Sequence, residues 1–194
     1  MEKLKLGVLG SGKGSKFRAI ADAIAAGALD AEVRVVISDV ESAGILALAR
    51  ERHMRAEFVA PGKFKTKLEP EAEARIVKLL QDAGVELVVL AGWMRMIKTP
   101  LLEAFPRKII NIHPSLLPAF PGLEAWTQAL AAGAQETGCT VHYVDSGMDT
   151  GDVIAQSSVP VFSSDTAEEL HARIQVAEHK LYPAVIGEFA RKAR

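Results

Sequence analysis

The chain has 194 residues, enough for one domain with a sizeable core, and 49% of them are hydrophobic. Its 23 basic and 24 acidic side chains leave a formal charge of −1 with no long lysine–arginine run, so the electrostatic footprint of a nucleic-acid binder is missing. A single cysteine, Cys139, excludes an internal disulfide framework, and no segment has the length of a signal-peptide core or a membrane span. A cytoplasmic protein acting on small molecules is therefore expected, as monomer or homodimer.

Short β-branched runs alternate with longer helical patterns, without repeats or a linker. Leu4–Leu9 is the first predicted strand, and the glycine-rich turn GSGKGS (Gly10 to Ser15) leads from it into a helix over 17–27 that stops at Gly27. Arg34–Ser38 is the second strand, Ala43–Arg52 the second helix, and Ala56–Val59 a short third strand. A helix over Glu69–Ala83 is punctuated by Gly84. Then ELVVLAG (Glu86–Gly92) forms a continuous apolar run, as expected of a strand buried on both faces. Lys108–His113, Thr140–Val144 and Val153–Val161 follow as strands. A long last helix starts near Thr166, with Asp165 as N-cap, Glu168 three residues on, and a basic end of Arg191, Lys192 and Arg194 that complements the dipole. The alternation predicts an α/β fold with a doubly wound, mostly parallel sheet of Rossmann-like type, in one domain over 1–194. A ligand then belongs beyond the carboxyl ends of the strands, where strand order reverses.

The glycine turn fits neither common nucleotide motif. Gly7 through Lys13 follows the triphosphate loop G-x-x-x-x-G-K, but Gly14 stands where the magnesium-binding hydroxyl is required. The dinucleotide fingerprint fails at its third glycine, which is Ser15. Asp39, at the end of the second strand, keeps a ribose-binding alternative open. What the turn does supply is a strand-to-helix junction whose free N–H groups and dipole favour an anion, or else a tight turn with no ligand.

The most specific stretch is Asn111-Ile-His-Pro-Ser-Leu-Leu-Pro-Ala-Phe-Pro-Gly122. Asn111 and His113 are two apart at a strand end and so face the same way, and the prolines hold the following loop on a fixed path. An amide beside an imidazole suits acyl transfer: one donates to a developing oxyanion, the other exchanges protons. This segment resembles the folate-dependent formyltransferases, and the resemblance extends from the glycine turn to Tyr182-Pro183, within the branch that formylates glycinamide ribonucleotide.

The resemblance implies formyl transfer from 10-formyltetrahydrofolate to the amine of that ribonucleotide, a step of purine synthesis, without a metal. It implies Asn111, His113 and Asp149, the last in VDSGMDTG, as the catalytic set. Gly14, Ser15 and Lys16 would take the phosphate, and Gln175 and Glu178 would contact the same substrate, Glu178 through a ribose hydroxyl. On the folate side it implies Met94, Arg95, Met96 and Ile97, the turn Asp145, Ser146, Gly147, Met148 and Asp149, together with Asn111. Lys67 would meet the glutamate carboxylate of the folate. A phosphate-binding half (1–100) and a catalytic, folate-binding half (101–194) follow from the same resemblance. Read by pattern alone, Trp93 and the methionines fit a core, and the Gln175–Glu178 stripe fits a solvated helix face.

The chain also departs from the family pattern. Lys16 stands where asparagine is common, either adding charge at the phosphate or pointing into solvent. Glu124 replaces a histidine, and Asp152 replaces a proline and puts an extra carboxylate near the site. His53, His142, His171 and His179 have no metal-binding spacing and are read as structural or exposed. Cys139, opening an apolar strand, is read as a buried, inert thiol.

Overall fold

The computed structural model describes residues 3–193. In chain order its elements are β1 (Leu4–Leu9), α1 (Ser15–Ala25), β2 (Ala31–Ser38), α2 (Gly44–Glu51), β3 (Ala56–Phe58), α3 (Pro70–Asp82) and β4 (Leu87–Leu90). They continue with α4 (Thr99–Ala104), β5 (Ile109–His113), α5 (Ala125–Ala131), β6 (Glu136–Tyr143), β7 (Val153–Pro160) and α6 (Ala167–Lys192). One seven-stranded sheet runs through both halves of the chain in the order β3-β2-β1-β4-β5-β6-β7. β1 to β5 pair in parallel, and β6 and β7 join as an antiparallel extension. The order reverses between β1 and β4, which places a crevice at their carboxyl ends.

The period of two along each strand sends alternate residues to opposite faces and divides the core in two. Leu6, Val8, Val36, Val89, Ile110 and Ile112 pack under α1, α2 and α6 with Phe17, Ile20, Ile45, Leu46, Ile174 and Ile186. Leu9, Val35, Ile37, Val88, Leu90 and Ile109 pack under α3 and α4 with Ile76, Leu80 and Leu101. All four residues of β4 are buried, as its uninterrupted apolar run requires.

Several boundaries differ from the sequence reading, each for a tertiary reason. β2 begins at Ala31 rather than Arg34 because Ala31 pairs with Leu4 of β1. β6 begins at Glu136 rather than Thr140 because β7 pairs with it along its whole length. α1 starts at Ser15, where Gly14 at φ 84° provides a left-handed N-cap. The last helix is capped by Thr166, not Asp165: the Thr166 hydroxyl accepts from the Glu169 N–H while the Glu169 carboxylate accepts from the Thr166 N–H. Asp165 instead forms a two-pronged pair with Arg173 at 2.6 and 2.7 Å, which holds its carboxyl down at about 2. The short helices α4 and α5 carry too few turns to show a period. Arg194 lies outside the described residues.

α6 is tied to the sheet beside the crevice. The fully buried Tyr182 shares its hydroxyl hydrogen between the carbonyls of Leu90 (2.9 Å) and Ile110 (3.0 Å), on β4 and β5. Tyr182→Phe keeps the ring and removes the hydroxyl's bonds to both carbonyls. It is expected to cost roughly 1–2 kcal/mol, read as a lower denaturant midpoint at unchanged slope.

Candidate active site

At the β1–β4 crevice the glycine turn is closed by packing. A Cβ on Gly10 would lie 2.6 Å from Ile45 Cδ1 and 2.7 Å from the Ala91 carbonyl, so only glycine lets β1 pass here. Ser11 Oγ donates to Asp39 Oδ1 (2.6 Å), and Arg95 Nε donates to Asp39 Oδ2 (2.6 Å). The Asp39 side chain is 3% exposed and its acceptors are engaged, which overturns the ribose-binding alternative. Arg95 also donates through Nη1 to the carbonyls of Phe64 (2.6 Å), Lys65 (2.9 Å) and Lys67 (3.3 Å). Its side chain thus staples the 62–68 loop to the end of β2, so any contribution to a pocket wall comes from its backbone.

One strand on, Asn111, His113 and Asp149 come together. His113 Nδ1 lies 3.3 Å from Asp149 Oδ2, and its Nε2 lies 2.9 Å from the Phe120 carbonyl. Both neighbours are acceptors: a carboxylate faces Nδ1 and a carbonyl faces Nε2. Asp149 is held in a left-handed conformation (φ 55°) and accepts the Gly122 N–H at 3.0 Å, which joins its turn to the proline-rich loop. On pattern alone this acid reads as solvated; here its side chain is 13% exposed.

A fourth member escapes the sequence reading. The antiparallel register of β5 and β6 sets His142 opposite Asn111. His142 Nδ1 donates to the Tyr143 carbonyl (2.8 Å), which leaves Nε2 to accept from Asn111 Nδ2 (3.2 Å), and Asp149 Oδ1 lies 3.7 Å away. The ring therefore orients the Asn111 amide while it is neutral. Burial, the largest influence, pushes its pKa below the usual 6.5, although the Tyr143 carbonyl and Asp149 pull the other way. The only sequence signal was an alternate position on an apolar strand. Below pH 6.5 the unfolded chain takes up a proton that the buried ring resists, so the His142 contribution to stability is present above pH 6.5 and lost as pH falls. His142→Gln is expected to make the decline in stability between neutral pH and pH 5 shallower, measured by denaturation at each pH; an unchanged slope would exclude this linkage.

On the other side of the crevice, Lys16 neither points into solvent nor stands free for an anion. Its ammonium lies 3.3 Å from Glu178, whose side chain is fully buried, so the helix stripe is an internal face and not a solvated one. Gln175 Nε2 lies 3.3 Å from His171 Nε2, and the His171 ring stacks on Trp126 at 3.7 Å between centroids. Neither His171 nor His142 is free in solvent.

The residues expected on the folate side divide. Trp93 and Ile97 are core, whereas Met94 and Met148 stand 67% and 57% exposed at the rim. Met96 donates its N–H to Thr66, which ties the strand-end loop to the Lys67 segment. The exposed Lys67 carries its ammonium 4.3 Å from the centre of the Phe64 ring. Asp145 accepts from the Gly147 N–H and the Thr150 hydroxyl, giving the turn its shape; Ser146 is exposed beside it. Gly151 cannot carry a side chain, because a Cβ would overlap the Tyr143 carbonyl. Asp152 adds no free carboxylate to the site, being paired with Arg107 at 2.8 Å. Glu124 is exposed at the left-handed N-cap of α5. Cys139 is fully buried, and burial pushes its thiol up to about 12. Among the described residues no three His, Cys, Asp or Glu side chains are arranged to hold a metal ion, and no helix is long and apolar enough to cross a membrane.

Known proteins resemble this chain over almost its whole length. Phosphoribosylglycinamide formyltransferase of Bacillus subtilis is 43% identical over 182 residues, 94% of this chain and 92% of that protein. The trifunctional purine biosynthetic protein adenosine-3 of Drosophila pseudoobscura is 42% identical across 96% of this chain, which spans 14% of that longer protein. The crystal structure of glycinamide ribonucleotide transformylase 1 from Symbiobacterium toebii superposes with a TM-score of 0.93 at 45% identity, covering 98% of this chain and 89% of that one. The formyl transferase family model matches residues 4–186, and the chain belongs to that family.

Proposed function

We propose that the protein transfers a formyl group from 10-formyltetrahydrofolate to the amine of N1-(5-phospho-D-ribosyl)glycinamide, giving the N-formyl ribonucleotide and tetrahydrofolate. The observation that carries this reading is the His113 ring held between Asp149 and the Phe120 carbonyl, with Asn111 on the same strand end. Full-length similarity to proteins named for the same reaction supports it.

The residues then take the following roles. Asn111 donates an amide hydrogen to the oxygen that becomes negative when the amine attacks the formyl carbon, and His113 donates its Nε2–H there in exchange for the Phe120 carbonyl that it meets in this structure. Asp149 holds the imidazolium in place. As the tetrahedral centre collapses, the carbon–nitrogen bond to the folate breaks; the leaving nitrogen takes a proton through His113, and the new amide nitrogen loses one. Gly14, Ser15 and Lys16 offer backbone N–H groups at the amino end of α1 to the phosphate. Gln175 and Glu178 serve the ribonucleotide side. Glu178 is fully buried against Lys16 in this structure, so its acceptance from a ribose hydroxyl requires that its carboxylate be uncovered when the ribonucleotide binds. Backbone groups of 94–97 and 145–149 read the folate ring, with Met94 and Met148 as apolar rim. Lys67, exposed, serves the glutamate carboxylate.

The test is tetrahydrofolate release from 10-formyltetrahydrofolate with and without the ribonucleotide. Release that depends on the ribonucleotide is expected. Equal release without it would make the protein a hydrolase, and no release by folded protein would reject formyl transfer.

A further inference from the structure

We infer that Lys16 is a positioning residue that acts through Glu178: it discharges a buried carboxylate beside the amino end of α1 and so allows a dianion to bind there. The inference rests on the phosphate seat proposed above, and asks what makes that seat usable in this chain.

The first turn of α1 begins at Ser15 after the left-handed Gly14, and Lys16 is its second residue. The Lys16 ammonium turns back onto α6, 3.3 Å from Glu178 Oε2, as an ion pair without hydrogen-bond alignment. The Glu178 carboxylate is fully buried, and neither oxygen has a hydrogen-bond donor among the described residues. A buried carboxylate in that state, when ionised, depends on a facing cation to balance its charge. Lys16 is the cation that faces it. The other ionisable groups nearby are Cys139 on β6 and Tyr182 on α6, both neutral at physiological pH, with His171 and His179 of α6 close to Lys16. An uncompensated charge on Glu178 would repel an anion at the adjoining helix end through a low-dielectric interior, where screening is weak. With Lys16 in place the pair is neutral, and the N–H groups and dipole of α1 act unopposed.

Two roles for Lys16 predict different double variants. A lysine that touched the anion directly would be missed whether or not Glu178 were charged. A lysine that only discharges Glu178 becomes dispensable once Glu178 is neutral. Sulfate is a suitable probe, since it stays a dianion from pH 5 to 9 and carries no ribose to engage Glu178.

The experiment is a titration of isotope-labelled full-length protein with sodium sulfate at constant ionic strength, following the backbone amides of Gly14, Ser15 and Lys16 by NMR. Parent, Lys16→Gln, Glu178→Gln and the double variant are compared at pH 8 and pH 5.5. At pH 8, Lys16→Gln is expected to bind sulfate about tenfold more weakly than the parent, while the double variant returns to within about threefold of it. At pH 5.5 the gap between Lys16→Gln and the double variant should narrow as the orphaned carboxylate takes a proton. His171 and His179 are common to both variants and cancel in that comparison. A double variant as weak as Lys16→Gln would mean direct contact and overturn the inference, as would a Lys16→Gln protein that binds like the parent. If the parent amides do not move with sulfate, there is no anion seat at α1 and the inference falls, while ribonucleotide-dependent formyl transfer remains separately testable.

Discussion

Replacing His113 by alanine is expected to lower the rate of formyl transfer by about a thousandfold or more and to leave the fold in place. The large effect follows from two functions lost together: a donor to the oxyanion and the carrier of the proton to the leaving nitrogen. The fold should survive because, among the described residues, the ring's partners are Asp149 and the Phe120 carbonyl, and neither belongs to the two apolar clusters. Asp149 keeps its own anchor, the Gly122 N–H at 3.0 Å, so its turn does not depend on the imidazole. The measurement is kcat with both substrates saturating, beside a thermal melt. Near-normal turnover in a folded His113→Ala protein would remove the residue from the mechanism. Asp149→Asn is the companion: its amide oxygen can still accept from Gly122, but the charge that holds an imidazolium is gone. A loss of about a hundredfold is expected, falling mainly on kcat.

Local signals reached far into this molecule and then stopped at identifiable contacts. The continuous apolar run of β4, the glycine stops at Gly27 and Gly84, and the alternation of strands with helices were each readable because they depend on a few adjacent residues. Asn111 and His113 were readable for the same reason, since a spacing of two on a strand fixes a shared face. His142 was not, because its place depends on the register of β5 against β6, a pairing 31 residues apart in sequence. Lys16 shows the limit from the other side. Its position in the motif was clear, but its direction is set by Glu178, more than 160 residues away, and no local rule turns a helix-start lysine toward a buried acid. Asp152 looked like an intruding charge until Arg107, drawn over the Tyr143 ring at 4.4 Å, was seen to hold it. In each case the missing information was a partner, not a propensity.

Arg95 is the partner-dependent residue whose loss should cost the most stability. Arg95→Met preserves the length and apolar stem of the side chain but leaves Asp39, buried at the end of β2, with the Ser11 hydroxyl as its side-chain partner among the described residues. Breaking a buried ion pair from one side strands the other charge, and a loss of roughly 3 kcal/mol is expected on that account alone. The same change releases the carbonyls of Phe64, Lys65 and Lys67, so the segment carrying Lys67 loses its tie to the sheet beyond the Met96–Thr66 bond. The charge effect and the loop effect separate in the double variant Arg95→Met/Asp39→Asn. Neutralising Asp39 should recover much of the stability, because an amide can still accept from Ser11. It should not re-anchor the loop, so KM for the folate is expected to stay raised about tenfold in both variants while KM for the ribonucleotide changes little. Denaturant midpoints at constant slope give the first quantity and initial rates the second. A single variant as stable as the parent would show that Asp39 does not need its arginine. A normal folate KM in the double variant would show that the 62–68 loop takes no part in folate binding.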